Sequence, residues 1–201
     1  MKSKKKTTRT SRKMTKTARA KKPAKRAPRR DAAMDQEAMM AAFQKAMTPG
    51  DGHERLKPFA GSWRTRTTMI MAPGADPEVT EGTSENDWVL GGRYLQQKYH
   101  GTAMGMPFEG LGYTGYDNVR GKYVGTWMDT FGTGLMNSIG VGRPTATQMD
   151  SEAEVYEPTG KRGVFVCKVK LQDSDHHTFE MWRKAPNGKK FRMMVIEYSR
   201  A

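Results

Sequence analysis

The chain is 201 residues long, carries 35 Lys and Arg against 21 Asp and Glu for a net charge of +14, and contains one cysteine. Fifteen of the basic residues and none of the acidic ones lie within residues 1–30, so residues 31–201 are nearly neutral, with 20 basic and 21 acidic side chains. A lone cysteine excludes an intrachain disulfide framework and every paired-cysteine metal pattern, and the charge split separates a polycationic arm from a body that must fold by burying apolar surface.

The arm, residues 1–30, has no apolar side chain larger than Ala except Met1 and Met14. Nothing in it offsets the entropy of ordering, so it is predicted to be disordered. Its composition resembles that of linker-histone tails and of some bacterial nucleoid proteins. Lys4, Lys5, Lys6, Arg9, Arg12, Lys13, Lys16, Arg19, Lys21, Lys22, Lys25, Arg26, Arg29 and Arg30 are the candidate nucleic-acid contacts. Fixed cations at this density release condensed counterions from a polyphosphate, which predicts DNA or RNA binding without sequence preference. No aromatic residue is interleaved, so base stacking adds nothing. The competing reading is a solvated tail that aids solubility. A secretory leader needs an apolar stretch after its basic region, and none follows; a mitochondrial presequence is poorly matched by a Lys-rich arm interrupted at Pro23 and Pro28. The expectation is a cytoplasmic, nucleoid-associated protein with no integral membrane contact.

Residues 31–49 read as a short amphipathic helix. Asp31, Asp35 and Glu37 suit its N-terminal end, Met40, Phe43 and Met47 recur on one face, and Thr48-Pro49-Gly50 ends it. The apolar stripe is expected to pack against the body.

From about His53 onward the pattern has period two. Arg64 and Arg66 alternate with Trp63 and its successors; Phe165, Cys167, Val169 and Leu171 oppose Val166, Lys168 and Lys170; Met194, Ile196 and Tyr198 oppose Glu197 and Ser199. Turn residues separate the runs at Pro73-Gly74, Gly91-Gly92, Asp117-Asn118, Glu157-Pro158-Thr159-Gly160, Asp173-Ser174-Asp175 and Pro186-Asn187-Gly188. Runs near 61–71, 79–90, 92–101, 107–116, 121–131, 133–142, 146–156, 162–172, 176–185 and 190–200 make about ten strands, which predicts an all-β, antiparallel up-and-down barrel over residues 50–201.

Gly61-Ser62-Trp63 at the first strand and Arg200 at the last resemble the Gly-x-Trp and terminal Arg pairing of the calycin superfamily, which includes lipocalins and fatty-acid-binding proteins. The resemblance implies that Trp63 and Arg200 lock the closure by cation–π packing. A closer resemblance covers residues 53–200: His53-Glu54-x-Leu56, Phe59-Ala60-Gly61-Ser62-Trp63, Trp88-Val89-Leu90-Gly91-Gly92-Arg93-Tyr94-Leu95-Gln96, Pro107-Phe108-Glu109-Gly110, Gly115-Tyr116-Asp117, Trp127-x-Asp129 and Gly132-Thr133-Gly134 resemble the bacterial domain-of-unknown-function family 1579. That family supports the fold and supplies no mechanism. The arm lies outside the resemblance, and Gly142-Arg143-Pro144-Thr145 lacks the Asp and Gly turn expected after the sixth strand.

No enzymatic pattern survives inspection. Gly110-x-Gly112-x-x-Gly115 has the form of a dinucleotide fingerprint, but a turn and another strand follow where a helix is required; the glycines are read as easing strand curvature. There is no Gly-x-Ser-x-Gly elbow, and Cys167 falls among apolar alternating positions. His176 and His177 are adjacent on one strand and face opposite sides, so they cannot chelate one ion. An inward histidine could hold haem as nitrobindin-like calycins do, but a hydrogen-bonded or exposed histidine is favoured, and no cofactor is expected. Glu109, Asp117 and Asp129 are read as turn, edge or Arg partners in preference to catalytic groups.

Barrels of this size enclose packed side chains or one small ligand. Trp127 and Asp129 share strand parity, as do Trp88, Asn86 and Leu90, and Glu180 with Trp182; each set joins an aromatic wall to a polar group. Trp88, Tyr116, Trp127, Asp129, Glu180 and Trp182 are the candidate ligand-binding residues. The overall expectation is a non-enzymatic barrel that binds an apolar small molecule, tethered to nucleic acid by its arm. The alternatives are a barrel enzyme acting on a small hydrophobic substrate and a nucleoid scaffold with a packed barrel.

Overall fold

The computed structural model describes residues 30–157, 159–184 and 189–201, with side chains from Met34 onward. The cations Lys4 to Arg29, the side chain of Arg30 and the turn residues Pro158 and Pro186-Asn187-Gly188 lie outside the described residues. The chain divides into two units, Met1–Met39 and Met40–Ala201.

Helix α1 spans Arg30–Met47 and is built largely of Ala, Met, Gln and Glu, which lose little side-chain freedom in a helix. Pro49 has no N–H to continue it. Its last carbonyls are capped by side chains instead: Arg93 donates to Met47 O at 2.6 Å, and Asn118 Nδ2 donates to Lys45 O at 3.0 Å and Thr48 O at 2.7 Å. The expected packing of the apolar stripe is not found. Met40, Phe43 and Met47 remain 63%, 56% and 54% exposed. Anchoring runs through backbone carbonyls at the helix end, which leaves the preceding stripe uncovered.

A second helix, α2 (Asp51–Glu54), and a 3₁₀ turn (Lys57–Phe59) escaped the sequence pattern because each is too short to show periodicity. Together they form a plug. Leu56 and Phe59 are buried with Leu95 and Tyr123, and Trp88, Tyr116 and Met149 pack around that cluster.

Ten strands follow in chain order: β1 (Gly61–Met69), β2 (Glu78–Val89), β3 (Tyr94–Ala103), β4 (Met106–Asp117), β5 (Lys122–Asp129), β6 (Met136–Gly140), β7 (Gln148–Tyr156), β8 (Arg162–Leu171), β9 (His176–Lys184) and β10 (Lys190–Arg200). Each pairs antiparallel with its sequence neighbour, and β1 pairs with β10, so the sheet closes and leaves no edge. Alternation sets the faces: Trp63, Thr65 and Thr67 are buried while Arg64 and Arg66 are exposed. Before β7, in place of the expected Asp and Gly turn, the Thr145 hydroxyl accepts from the backbone N–H of Gln148 at 2.9 Å.

Closure is tighter than a cation–π contact alone. Trp63 and Arg200 are register partners, and the guanidinium lies 3.7 Å from the indole centroid. Arg200 also donates to the carbonyls of Ala60 (2.6 Å), Pro58 (3.1 Å) and Ser174 (2.9 Å), while Trp63 Nε1 donates to Phe59 O at 3.0 Å. Gly61, at φ +106°, has no room for a side chain because a Cβ there would sit 2.8 Å from Arg200 Nη1. Arg200→Ala is expected to destabilise the protein by about 2–4 kcal/mol, since three carbonyls lose a charged donor and the indole loses its cover. Urea unfolding would show a lower midpoint at unchanged m-value; a loss below about 0.5 kcal/mol would refute the lock.

Candidate binding cavity

Inside the barrel, between the plug and the opposite rim, lies a cavity of about 370 Å³. Its wall is apolar because inward strand positions carry Phe108, Phe165, Phe179, Ile196 and a set of methionines that includes Met69, Met136, Met181 and Met194. Unbranched thioether side chains adapt their shape to a guest at little cost. Phe131, 40% exposed, stands at the rim and packs edge-on against Phe108 at 5.1 Å.

Toward the plug, hydroxyls and amides form a connected hydrogen-bonded group. The Tyr99 hydroxyl lies 3.2 Å from Thr65 Oγ1 and 3.0 Å from Thr67 Oγ1. Gln97 Nε2 donates to Ser84 Oγ at 2.9 Å and to the Tyr198 hydroxyl at 3.3 Å. Ser84 Oγ donates to Asn86 Oδ1 at 2.9 Å, and Asn86 Nδ2 donates to Phe59 O at 2.8 Å. This chain ties the cavity floor to the plug through buried groups, where each hydrogen bond is costly to lose.

The six residues singled out from sequence fall in three places. Trp127 and Asp129 line the cavity. Asp129 Oδ2 accepts from Trp127 Nε1 at 2.9 Å and Oδ1 accepts from the Phe131 N–H at 2.9 Å, so the carboxylate orients the indole and pins the rim turn. Trp88 and Tyr116 face inward but pack against the plug cluster below the cavity. Glu180 and Trp182 belong to the outer face: Trp182 pairs with Arg192 and Val166, lies beneath the cations of Lys168 and Arg192 at 5.6 and 5.7 Å, and donates to Glu180 at 2.8 Å. The error is one of phase. Both faces of β9 carry aromatic residues, and the inward set is His177, Phe179 and Met181. Gln97, Tyr99 and Thr67 were missed altogether, although Gln97 and Tyr99 share parity with the buried Leu95.

The glycine pattern on β4 has a packing explanation. A Cβ at Gly110 or Gly112 would come within 2.1 and 2.8 Å of the Trp127 ring, and one at Gly115 within 2.6 Å of Tyr94. The glycines are flat seats for aromatic rings, one of which walls the cavity, where curvature had been the expected reason.

Reactive groups near the cavity are held quiet. Burial pushes the Cys167 thiol up to about 12, which keeps it protonated. His177 faces inward but sits in the plug, stacked on Tyr198 at 4.1 Å and edge-on to Trp63 at 4.3 Å. Burial, with Arg200 nearby, lowers its pKa to about 3. His100 and His176 are exposed, and His53 Nδ1 accepts from the Gly50 N–H at 3.1 Å as a helix cap. Asp117 caps the β4–β5 turn by accepting from the N–H groups of Val119 and Arg120, and Glu109 is exposed. Among the described residues no cluster of three His, Cys, Asp or Glu could hold a metal ion, and no helix is long and apolar enough to cross a membrane.

The crystal structure of Rv2717c from M. tuberculosis is similar in fold, with a TM-score of 0.58 and 17% identity, covering 77% of this chain and 99% of that one. A redesigned β-barrel (TM-score 0.39, 14% identity, 75% and 95% covered) and EF1p2_mFAP2b bound to DFHBI (TM-score 0.43, 10% identity, 75% and 100% covered) match more loosely. No curated protein matches. The model of the family described as "protein of unknown function (DUF1579)" matches residues 48–200, and with its blocks lying on the plug, the closure and the cavity wall, the chain belongs to that family.

Proposed function

We propose that the barrel binds one small, largely apolar molecule without chemically transforming it, and that the arm holds the protein on nucleic acid in the cytoplasm. The observation that carries the first part is the cavity: about 370 Å³, walled by aromatic and methionine side chains, with a hydrogen-bonded group of hydroxyls and amides at its floor. That volume and polarity suit a single small ligand. Three features favour binding over catalysis: the Cys167 thiol stays protonated, both Asp129 oxygens are engaged, and His177 lies in the plug. The arm's part rests on its fifteen cations in thirty residues.

A neutral solvatochromic dye tests the cavity. Its emission is expected to rise and shift to the blue on binding, with Kd in the micromolar range or tighter. Ser151→Phe, which puts a ring into the lining from β7, is expected to raise Kd at least about tenfold while the far-UV spectrum is unchanged. Equal binding by the variant, or no binding by the parent protein, would refute the proposal.

A further inference from the structure

The hydrogen bonds of the cavity floor have a direction, and it follows from one atom. Phe59 O is a carbonyl and only accepts, so the Asn86 amide must turn its Nδ2 to it at 2.8 Å and leave Oδ1 to accept the Ser84 hydroxyl at 2.9 Å. With the Ser84 proton committed, Ser84 Oγ accepts from Gln97, which fixes Nε2 on that side at 2.9 Å. The same nitrogen donates to Tyr198 Oη at 3.3 Å, so both amide hydrogens are engaged and Tyr198 is an acceptor in the chain. From Gln97 the relay runs through Ser84 and Asn86 to the plug, with one branch to Tyr198.

What the relay leaves over faces the cavity. Among the described residues nothing accepts the Tyr198 hydroxyl hydrogen, although the side chain is 6% exposed and lines the cavity. A similar surplus exists beside it. Thr65 donates to Tyr99 Oη, and the Tyr99–Thr67 contact uses one of those two hydroxyl protons, so the other is left without an acceptor whichever way the bond runs. The floor therefore offers more donors than it can satisfy. Burial raises the Tyr198 phenol above its ordinary value, which keeps the proton on oxygen at neutral pH.

Charge narrows the guest further. Among the described residues the lining presents one carboxylate, that of Asp129, and no Lys or Arg; the Asp150 carboxylate, opposite Lys168, belongs to the outer face. An anionic head group would lose its hydration with no cation to replace it. We infer that the cavity's ligand is a neutral molecule with an apolar body and a hydrogen-bond-accepting oxygen, a ketone, ester or amide carbonyl, which seats on the Tyr198 hydroxyl at the floor. This inference rests on the reading of the cavity as a binding site.

A set of matched naphthalenes separates the two claims, measured on the full chain by calorimetry. 2-Acetylnaphthalene is expected to bind about tenfold more tightly than the hydrocarbon 2-ethylnaphthalene, which lacks the oxygen, the effect of one net hydrogen bond. Tyr198→Phe, which keeps the ring stacked on His177, is expected to erase that preference while leaving the hydrocarbon's affinity within about twofold. The infrared carbonyl stretch of bound ketone should shift to lower frequency in the parent protein and return in the variant, a readout that general loosening of the barrel does not reproduce. 2-Naphthoate, assayed as a competitor of bound ketone so that the basic arm does not contribute, should displace it more weakly than 2-ethylnaphthalene does. Equal affinity for ketone and hydrocarbon, or stronger displacement by naphthoate, overturns the inference and leaves the cavity as a plain apolar site. Failure of both neutral compounds to bind overturns the binding site itself.

Discussion

Deleting residues 1–30 is expected to abolish binding to duplex DNA, and the full chain is expected to lose affinity by about 10³ to 10⁵ as salt rises from 50 to 200 mM. The arm concentrates fifteen cations with no carboxylate to compensate them, while residues 31–201 carry 20 basic and 21 acidic side chains. A flexible chain does not seat every charge at once. If about 6 to 10 phosphates are neutralised, the slope of log affinity against log salt falls between about −5 and −9. Scrambling the arm at fixed composition should leave affinity nearly unchanged, because counterion release depends on charge density and not on residue order. Anisotropy of a labelled duplex, titrated at several salt concentrations, measures all three. A deletion variant that binds as tightly as the full chain would end the tethering proposal and leave the arm a solubilising tail.

Acid is expected to destabilise the barrel through one plug residue. His177 is 5% exposed, packed among Phe59, Trp63 and Tyr198, and its Nδ1 has no hydrogen-bond partner. Burial, with Arg200 adding repulsion, lowers its pKa from 6.5 to about 3. Between those two values the unfolded chain binds a proton that the folded chain does not, so stability falls as pH drops through about 6.5 and continues to fall toward about 3. From pH 7 to pH 5 the loss attributable to this residue is about 2 kcal/mol. His177→Phe keeps an aromatic ring in the cage and removes the titration. The variant's stability should therefore change less between pH 7 and pH 5, by about the same 2 kcal/mol, in paired urea melts. His53, whose pKa burial also lowers, titrates in the same direction and is common to both proteins, so it cancels from the difference. An identical pH dependence in the variant would show that the imidazole is not held neutral.

Strand positions were legible because alternation is a local property. The period-two runs separated by Gly, Pro, Asn and Asp turns located all ten strands within a few residues, and the Gly61-Ser62-Trp63 and Arg200 pair marked where the barrel closes. The division of charge between arm and body is likewise complete in the amino-acid order. Face assignment on β9 was not, since alternation supplies a period without a phase when aromatic residues stand on both sides, and Glu180 and Trp182 proved to face outward. The stripe of α1 failed for a related reason: amphipathicity states that a face is apolar, whereas its burial depends on where the helix end is tied.

Composition, periodicity and turn chemistry act over a few residues, so the amino-acid order alone determines the basic arm and the antiparallel strands, while the closure pair was legible through its resemblance to the calycin pattern. The cavity and its directed floor arise from the tertiary structure. Phe59, Ser84, Asn86, Gln97 and Tyr198 come from the plug and three different strands, and only the register of the closed barrel brings their polar atoms within hydrogen-bonding distance. Hydrogen-bond direction is a property of that assembled chain, set by a backbone carbonyl that accepts and cannot donate.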